Sequence, residues 1–142
     1  LTNGMKVCVT RELQVPTRWI DQGAWKAVKF AETPNRYLAG MIEVSMKDHL
    51  SDKTNWQRML KNQMNMELDI LEEKARLLEL LPADYKEYQS SNDEVTEIHY
   101  PVEAYPEKVK SLSFDKMPEI EGTLVGIRGQ YLIFDAGRVL NI

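Results

Sequence analysis

The chain is 142 residues long, 43% hydrophobic, 28% charged and 8% aromatic, with a net charge of -4; this is the makeup of one soluble globular domain or two very small ones, and it excludes disorder and collagen-like repeats. One cysteine, Cys8, and two histidines, His49 and His99, exclude an internal disulfide and supply too few ligands for a structural zinc site. No apolar run approaches the roughly 18 residues of a membrane-spanning helix, so a reducing cytoplasm and no membrane partner are expected.

Charge divides the chain. Residues 1–65 carry ten Lys and Arg against six Asp and Glu, a net of +4, whereas residues 66–142 carry eight against sixteen, a net of -8. The first half suits a polyanion and the second repels one. A plain solvated surface explains the division equally well.

In chain order, Leu1 to Gly4 reads as a turn-like string leading into the apolar run Met5 to Val9. That arrangement predicts a strand at Met5 to Thr10, the second of a hairpin whose first strand is not in this sequence. Val15 to Gly23 predicts a two-turn helix, with proline near its start and glycine just past its end. Trp25, Ala27, Val28 and Phe30 predict a second strand over Ala24 to Ala31. Thr33-Pro34 then opens a helix to about Leu50, with Leu38, Met41, Ile42, Ser45, Met46 and His49 along one side.

A short helix is expected over Asn55 to Asn62, and the clearest one over Glu67 to Leu81. There Leu68, Leu71, Ala75 and Leu78 form an apolar stripe widened by Ile70, Leu77 and Leu81, and Glu72 is spaced to pair with Arg76. The polar stretch Ser90 to Asp93 reads as a linker. It divides residues 1–90, an α/β unit with a helical extension, from residues 91–142, a small antiparallel β subdomain. Beyond it Thr96, Ile98 and Tyr100 alternate with polar residues, Val109 to Phe114 reads as extended, and Gly122 to Ile142 reads as a meander with turns at Arg128-Gly129 and Asp135-Ala136-Gly137. The fold class expected is α+β. Val139 to Ile142 stops within a strand-like pattern, so a longer protein is expected.

Chemistry concentrates in the first half. If strand, helix, strand and helix pack as one unit, the end of the first strand, Arg18 and Glu43 converge on one side. A lone carboxylate can hold one Mg²⁺, and an arginine beside it can stabilise the extra negative charge of a phosphodiester under attack. The plainer alternative pairs Glu43 with Lys47 and rests Arg18 on Trp19, Trp25 or Asp21. Gly126 to Gly129 lacks the spacing of a phosphate loop. Cys8 reads as a small buried residue, and Trp19, Trp25 and Trp56 read as core with base stacking as the rarer use.

Lys6 to Arg11, Pro16 to Ala24, Glu43, Asp52 to Trp56, Tyr105 to Ser111 and Gly126 to Ile133 together resemble a bacterial family of unknown function, over nearly the whole chain. Members of that family begin with paired cysteines resembling a zinc ribbon, a portion absent here, and their middle part is similar to the GIY-YIG nuclease domain. By that resemblance Lys6 to Thr10 corresponds to the second signature strand, Arg18 to the helix arginine and Glu43 to the metal-binding glutamate. Cys8 stands where glycine is usual, and the first signature strand with its tyrosine is missing, so the expected role is nucleic-acid binding at an inactive or incomplete site, any cleavage belonging to the complete protein and not to these residues.

The expected partner is DNA or RNA, held by the basic residues Lys6, Arg11, Lys26, Lys29 and Arg36, and the resemblance implies Mg²⁺ at Glu43 as cofactor. The alternative is a non-catalytic module that contacts a protein partner, or a second copy of itself, through exposed strand edges.

Overall fold

The computed structural model describes residues 5–50, 55–63 and 66–142; the expected turn at Leu1 to Gly4, the Asp52 to Thr54 part of the resemblance and Met64 lie outside them. The architecture is α+β. In order come a 3-10 turn at Glu12–Gln14, α1 (Thr17–Asp21), β1 (Lys26–Ala27), α2 (Arg36–Met46), α3 (Trp56–Leu60) and α4 (Ile70–Leu80). After a 3-10 segment at Ala83–Tyr88 follow β2 (Thr96–Glu97), β3 (Lys110–Leu112), β4 (Leu124–Arg128), β5 (Tyr131–Phe134) and β6 (Arg138–Asn141).

Residues 5–10 do not form the expected strand: they run without helix, turn or bend and pair with no strand. Extended chain needs a partner to become a ladder, and none of the described residues supplies one. Side chains hold the segment instead, Met5 and Val7 packing against the core of Ile42, Met46, Leu77 and Leu81. The expected strand over 24–31 shrinks to β1, which pairs antiparallel with β2 across the Ser90 to Asp93 stretch, Lys26 opposite Glu97 and Ala27 opposite Thr96. A bridge between Ala31 and Gln89 extends that contact.

Helix α2 starts two residues later than its sequence signal, because Asn35 rather than Thr33 caps it: the Asn35 side chain accepts the Leu38 N–H at 3.0 Å. Ile42 and Met46 are its buried residues, and His49 lies exposed beyond its end. In α4 the buried line is not Leu68, Leu71, Ala75 and Leu78. It runs through Lys74, Leu77 and Leu81, with Ile70 half-buried one turn earlier. Leu77 and Leu81 are the members of α4 and its end that enter the core, and Lys74 on the same face is 2% exposed and donates to the Asn92 carbonyl at 2.8 Å and the Asp93 carboxylate at 2.9 Å. A buried ammonium requires such partners, and the loop that provides them is thereby strapped to the helix. Arg76 pairs with Glu73 at 2.8 Å rather than with Glu72.

The C-terminal sheet has the order β3-β6-β5-β4. Strands β4, β5 and β6 form the expected meander, but β3 joins β6 in parallel, so the sheet is mixed rather than wholly antiparallel. A parallel neighbour needs a crossover, and here the crossover contains β4 and β5 themselves. The β4–β5 turn is a two-residue loop, Gly129-Gln130, with glycine at φ +59° in its first position, where the favoured hairpin geometry requires it. This sheet covers a second core of Met59, Leu60, Ile133 and Val139, with Trp56 stacked on Tyr131 at 5.8 Å.

One buried side chain joins the two halves. Arg128, 1% exposed, donates from Nε and Nη2 to the Gly23 carbonyl at 3.3 and 3.2 Å and from Nη1 to Asn62 Oδ1 at 2.9 Å. Its guanidinium also lies over the rings of Tyr100 and Tyr105, 5.0 and 5.6 Å from their centroids. Tyr100 in turn donates to the Ala24 carbonyl at 2.6 Å.

Arg128→Met is expected to leave the Gly23 carbonyl and Asn62 unanswered and to lower stability by about 3 kcal/mol, read as a fall in the urea midpoint; an unchanged midpoint would show that the two halves hold together without it. Burial pushes the Tyr100 hydroxyl up to about 12, against a smaller opposing pull from Arg128. A tyrosine of the unfolded chain ionises near pH 10. The folded state therefore keeps this contribution below that pH and loses it as pH climbs towards 12. Absorbance at about 295 nm should resolve one late-titrating tyrosine that Tyr100→Phe removes.

Candidate functional site

The candidate site begins where residues 5–10 meet the end of α1. Lys6 donates to Gln22 Oε1 at 3.0 Å. Arg18 lies within electrostatic reach of Cys8. Burial pushes the Cys8 thiol up, the positive charges of Arg18 and Lys6 pull it down, and the Glu43 carboxylate adds a smaller upward push. Arg18, Lys6 and Glu43 therefore all act on one sulfur. The thiol stays protonated near neutral pH, which argues against Cys8 as a nucleophile.

Arg18 is exposed on α1 and Glu43 half-buried on α2. Neither side chain makes a hydrogen bond or ion pair among the described residues, so the alternative pairings of Glu43 with Lys47 and of Arg18 with Asp21 do not form. Of the other basic positions, Arg11 and Arg36 are exposed and likewise unpaired. Lys26 lies 3.7 Å from Glu97 and rests over the Trp25 ring at 4.6 Å, and Lys29 is bonded to Glu32.

No group of three or more His, Cys, Asp or Glu among the described residues could hold a metal ion. Glu43 nevertheless fits Mg²⁺ by its chemistry, since this cation keeps most of its waters and accepts a single protein carboxylate, and no partner occupies that carboxylate.

Beside this cluster a cleft of about 730 Å³ runs between residues 5–10 and residues 26–33, with Trp19 and Gln22 of the α1 region and Ala39 and Ile42 of α2 also lining it. Sequence reasoning did not find the cleft, because an unpaired strand and a paired one look alike as sequence. It also missed Arg128, placed in a turn by the Arg-Gly dipeptide. The available signal was its period-two spacing from Gly126, which puts both on the buried face of β4.

No curated protein and no solved structure matches the chain. A family model spans residues 1–142, and the chain accordingly belongs to the family described as protein of unknown function (DUF2797).

Proposed function

We propose that the protein binds nucleic acid through its N-terminal half and that Arg18 and Glu43 are the central pair of a phosphodiester-cleaving site of GIY-YIG type, with Mg²⁺ held at Glu43. One observation carries this reading: Arg18 and Glu43 act on the same thiol yet close no ion pair. Opposite charges that both act on Cys8 and stay unbonded among the described residues are available to a third group. The guanidinium suits phosphate oxygens, and the carboxylate suits a hard cation.

Each residue has a defined task in this reading. Arg18 orients a phosphodiester and stabilises the charge that builds on its oxygens. Glu43 anchors the cation; Mg²⁺, when bound, supplies electrophilic stabilisation of the same oxygens. Arg11 and Arg36, exposed and unpaired among the described residues, supply further phosphate contacts in this reading. Lys6 contributes charge while tied to Gln22. Lys26 and Lys29 join only by releasing Glu97 and Glu32, at a cost of about 0–1 kcal/mol for each exposed pair. The unpaired edge of residues 5–10 favours a second reading, a module that pairs with a polypeptide, and the two readings differ in their salt dependence.

Binding of a short DNA duplex, followed by fluorescence anisotropy, should weaken with salt at a log–log slope of about -3 if Arg11, Arg18 and Arg36 each neutralise one phosphate. Replacing all three by alanine should flatten that slope, and absence of binding at low salt would remove nucleic acid from the reading. In the complete protein, Glu43→Gln and Arg18→Ala should each lower Mg²⁺-dependent cleavage about 100-fold or more, with circular dichroism unchanged. Cleavage at the parental rate by both variants would end the nuclease assignment.

A further inference from the structure

Helix α2 turns a second face away from the core. At about 100° per residue, Arg36, Tyr37, Gly40, Glu43 and Val44 fall in one sector roughly opposite the buried Ile42 and Met46. Tyr37 is 73% exposed, and Arg36 and Val44 are exposed with it. This face is not a wall of the cleft, to which α2 contributes Ala39 and Ile42, so its openness does not depend on what lies beside residues 5–10. Gly40 marks it out. Only proline is worse than glycine in a helix interior, and a close neighbour usually explains one there. None does here: among the described residues, no atom lies within 4 Å of where a Cβ at Gly40 would stand. Nothing in the described chain needs the room that Gly40 leaves. The Tyr37 ring is equally uncommitted, stacking on no other ring and giving its hydroxyl to no acceptor among the described residues.

We propose that this face of α2 carries an unpaired strand of the substrate: a single-stranded stretch of nucleic acid passes over Gly40 on its way to Arg18 and Glu43, with one base stacked on Tyr37 and a neighbouring phosphate on Arg36. The inference rests on the phosphodiester reading and adds the substrate class to it. Position along the helix sets the order of contacts. At 1.5 Å per residue, Gly40 lies about 4.5 Å from Glu43 along the axis, Tyr37 about 9 Å and Arg36 about 10.5 Å. A strand leaving Glu43 therefore crosses the glycine first and meets the ring and the guanidinium about one turn later. A position without a side chain is what a sugar–phosphate backbone needs to lie close against a helix. Charge agrees. Arg36 has no partner among the described residues and suits a phosphate, while Glu43, the single carboxylate of the face, is the one assigned to Mg²⁺. Lys47 and Asp48, past the end of α2, offset each other. The exposed ring decides between strand and duplex. Inside a duplex both faces of a base are stacked on neighbours, and only an unpaired base has one to offer a tyrosine.

The test uses the full chain, labelled oligothymidylate and a DNA duplex of the same length, with anisotropy read at low salt and divalent cations removed so that no cleavage intervenes. Oligothymidylate is expected to bind about tenfold tighter than the duplex. Tyr37→Ala should weaken oligothymidylate about tenfold and leave the duplex unchanged, whereas Tyr37→Phe, which keeps the ring, should bind as the parent does. Gly40→Gln fills the open space with a better helix former. Its thermal midpoint should stand at or above the parental one while oligothymidylate binding falls about tenfold. Equal affinity for the two DNAs, or parental oligothymidylate affinity in both Tyr37→Ala and Gly40→Gln, would overturn the proposal; salt-dependent duplex binding in that case would leave the Arg18 and Glu43 site standing. Binding of neither DNA would overturn both readings. Dimerisation of the parent chain that Tyr37→Ala or Gly40→Gln abolishes would overturn the proposal in favour of a second copy on this face.

Discussion

A guanidinium buried without a carboxylate in its bonding shell is the constraint around which this molecule is arranged. Burying a charge is costly unless its donors find acceptors, and Arg128 finds them in the Gly23 carbonyl, the Asn62 side-chain oxygen and the Tyr105 hydroxyl, with the Tyr100 and Tyr105 rings beside it. The carbonyl belongs to Gly23, just past α1, where the unsatisfied end of a helix carries partial negative charge. Gly129 makes the approach feasible: a Cβ there would lie 3.0 Å from the Asp21 carbonyl and 3.2 Å from the Gly23 nitrogen. The hairpin turn of the C-terminal sheet is thereby seated against the end of the first helix.

From that seat the candidate site follows. With the end of α1 fixed, Gln22 meets Lys6 and Arg18 comes to Cys8. On the other side Met5 and Val7 are held by the α2–α4 core. Residues 5–10 are thus positioned by two sets of side chains and by no ladder. That is an uncommon way to hold extended chain, and it leaves the backbone of the segment free while its side chains are committed. The charges around Cys8 and the open cleft are two results of the same arrangement.

Much of this was legible in the sequence. Pro16 and Gly23 bracketed α1, Asn55 opened α3, and the Gly129 and Gly137 turns marked the meander, because these residues act through local backbone geometry. What escaped was set by partners distant in the chain. Lys74 can be buried in α4 because Asp93 and Asn92 bond its ammonium, and a stripe of leucines gives no hint of that. The strand expected at Met5 to Thr10 has the right composition but lacks a neighbour, and composition cannot register a missing neighbour. The parallel entry of β3 depends on a crossover through the meander, which period-two alternation does not encode. Arg18 and Glu43 could be chosen by residue type and resemblance, whereas their unpaired state became visible only with coordinates.

The bond between Arg128 and Gly23 closes a loop of 105 residues. A ribosome adding roughly 5–20 residues per second takes about 5–20 s to cover that distance. During that interval the first helix has emerged and its anchor has not been made. The N-terminal core can close once α4 has been made, whereas the end of the first helix waits for its anchor until the final hairpin arrives.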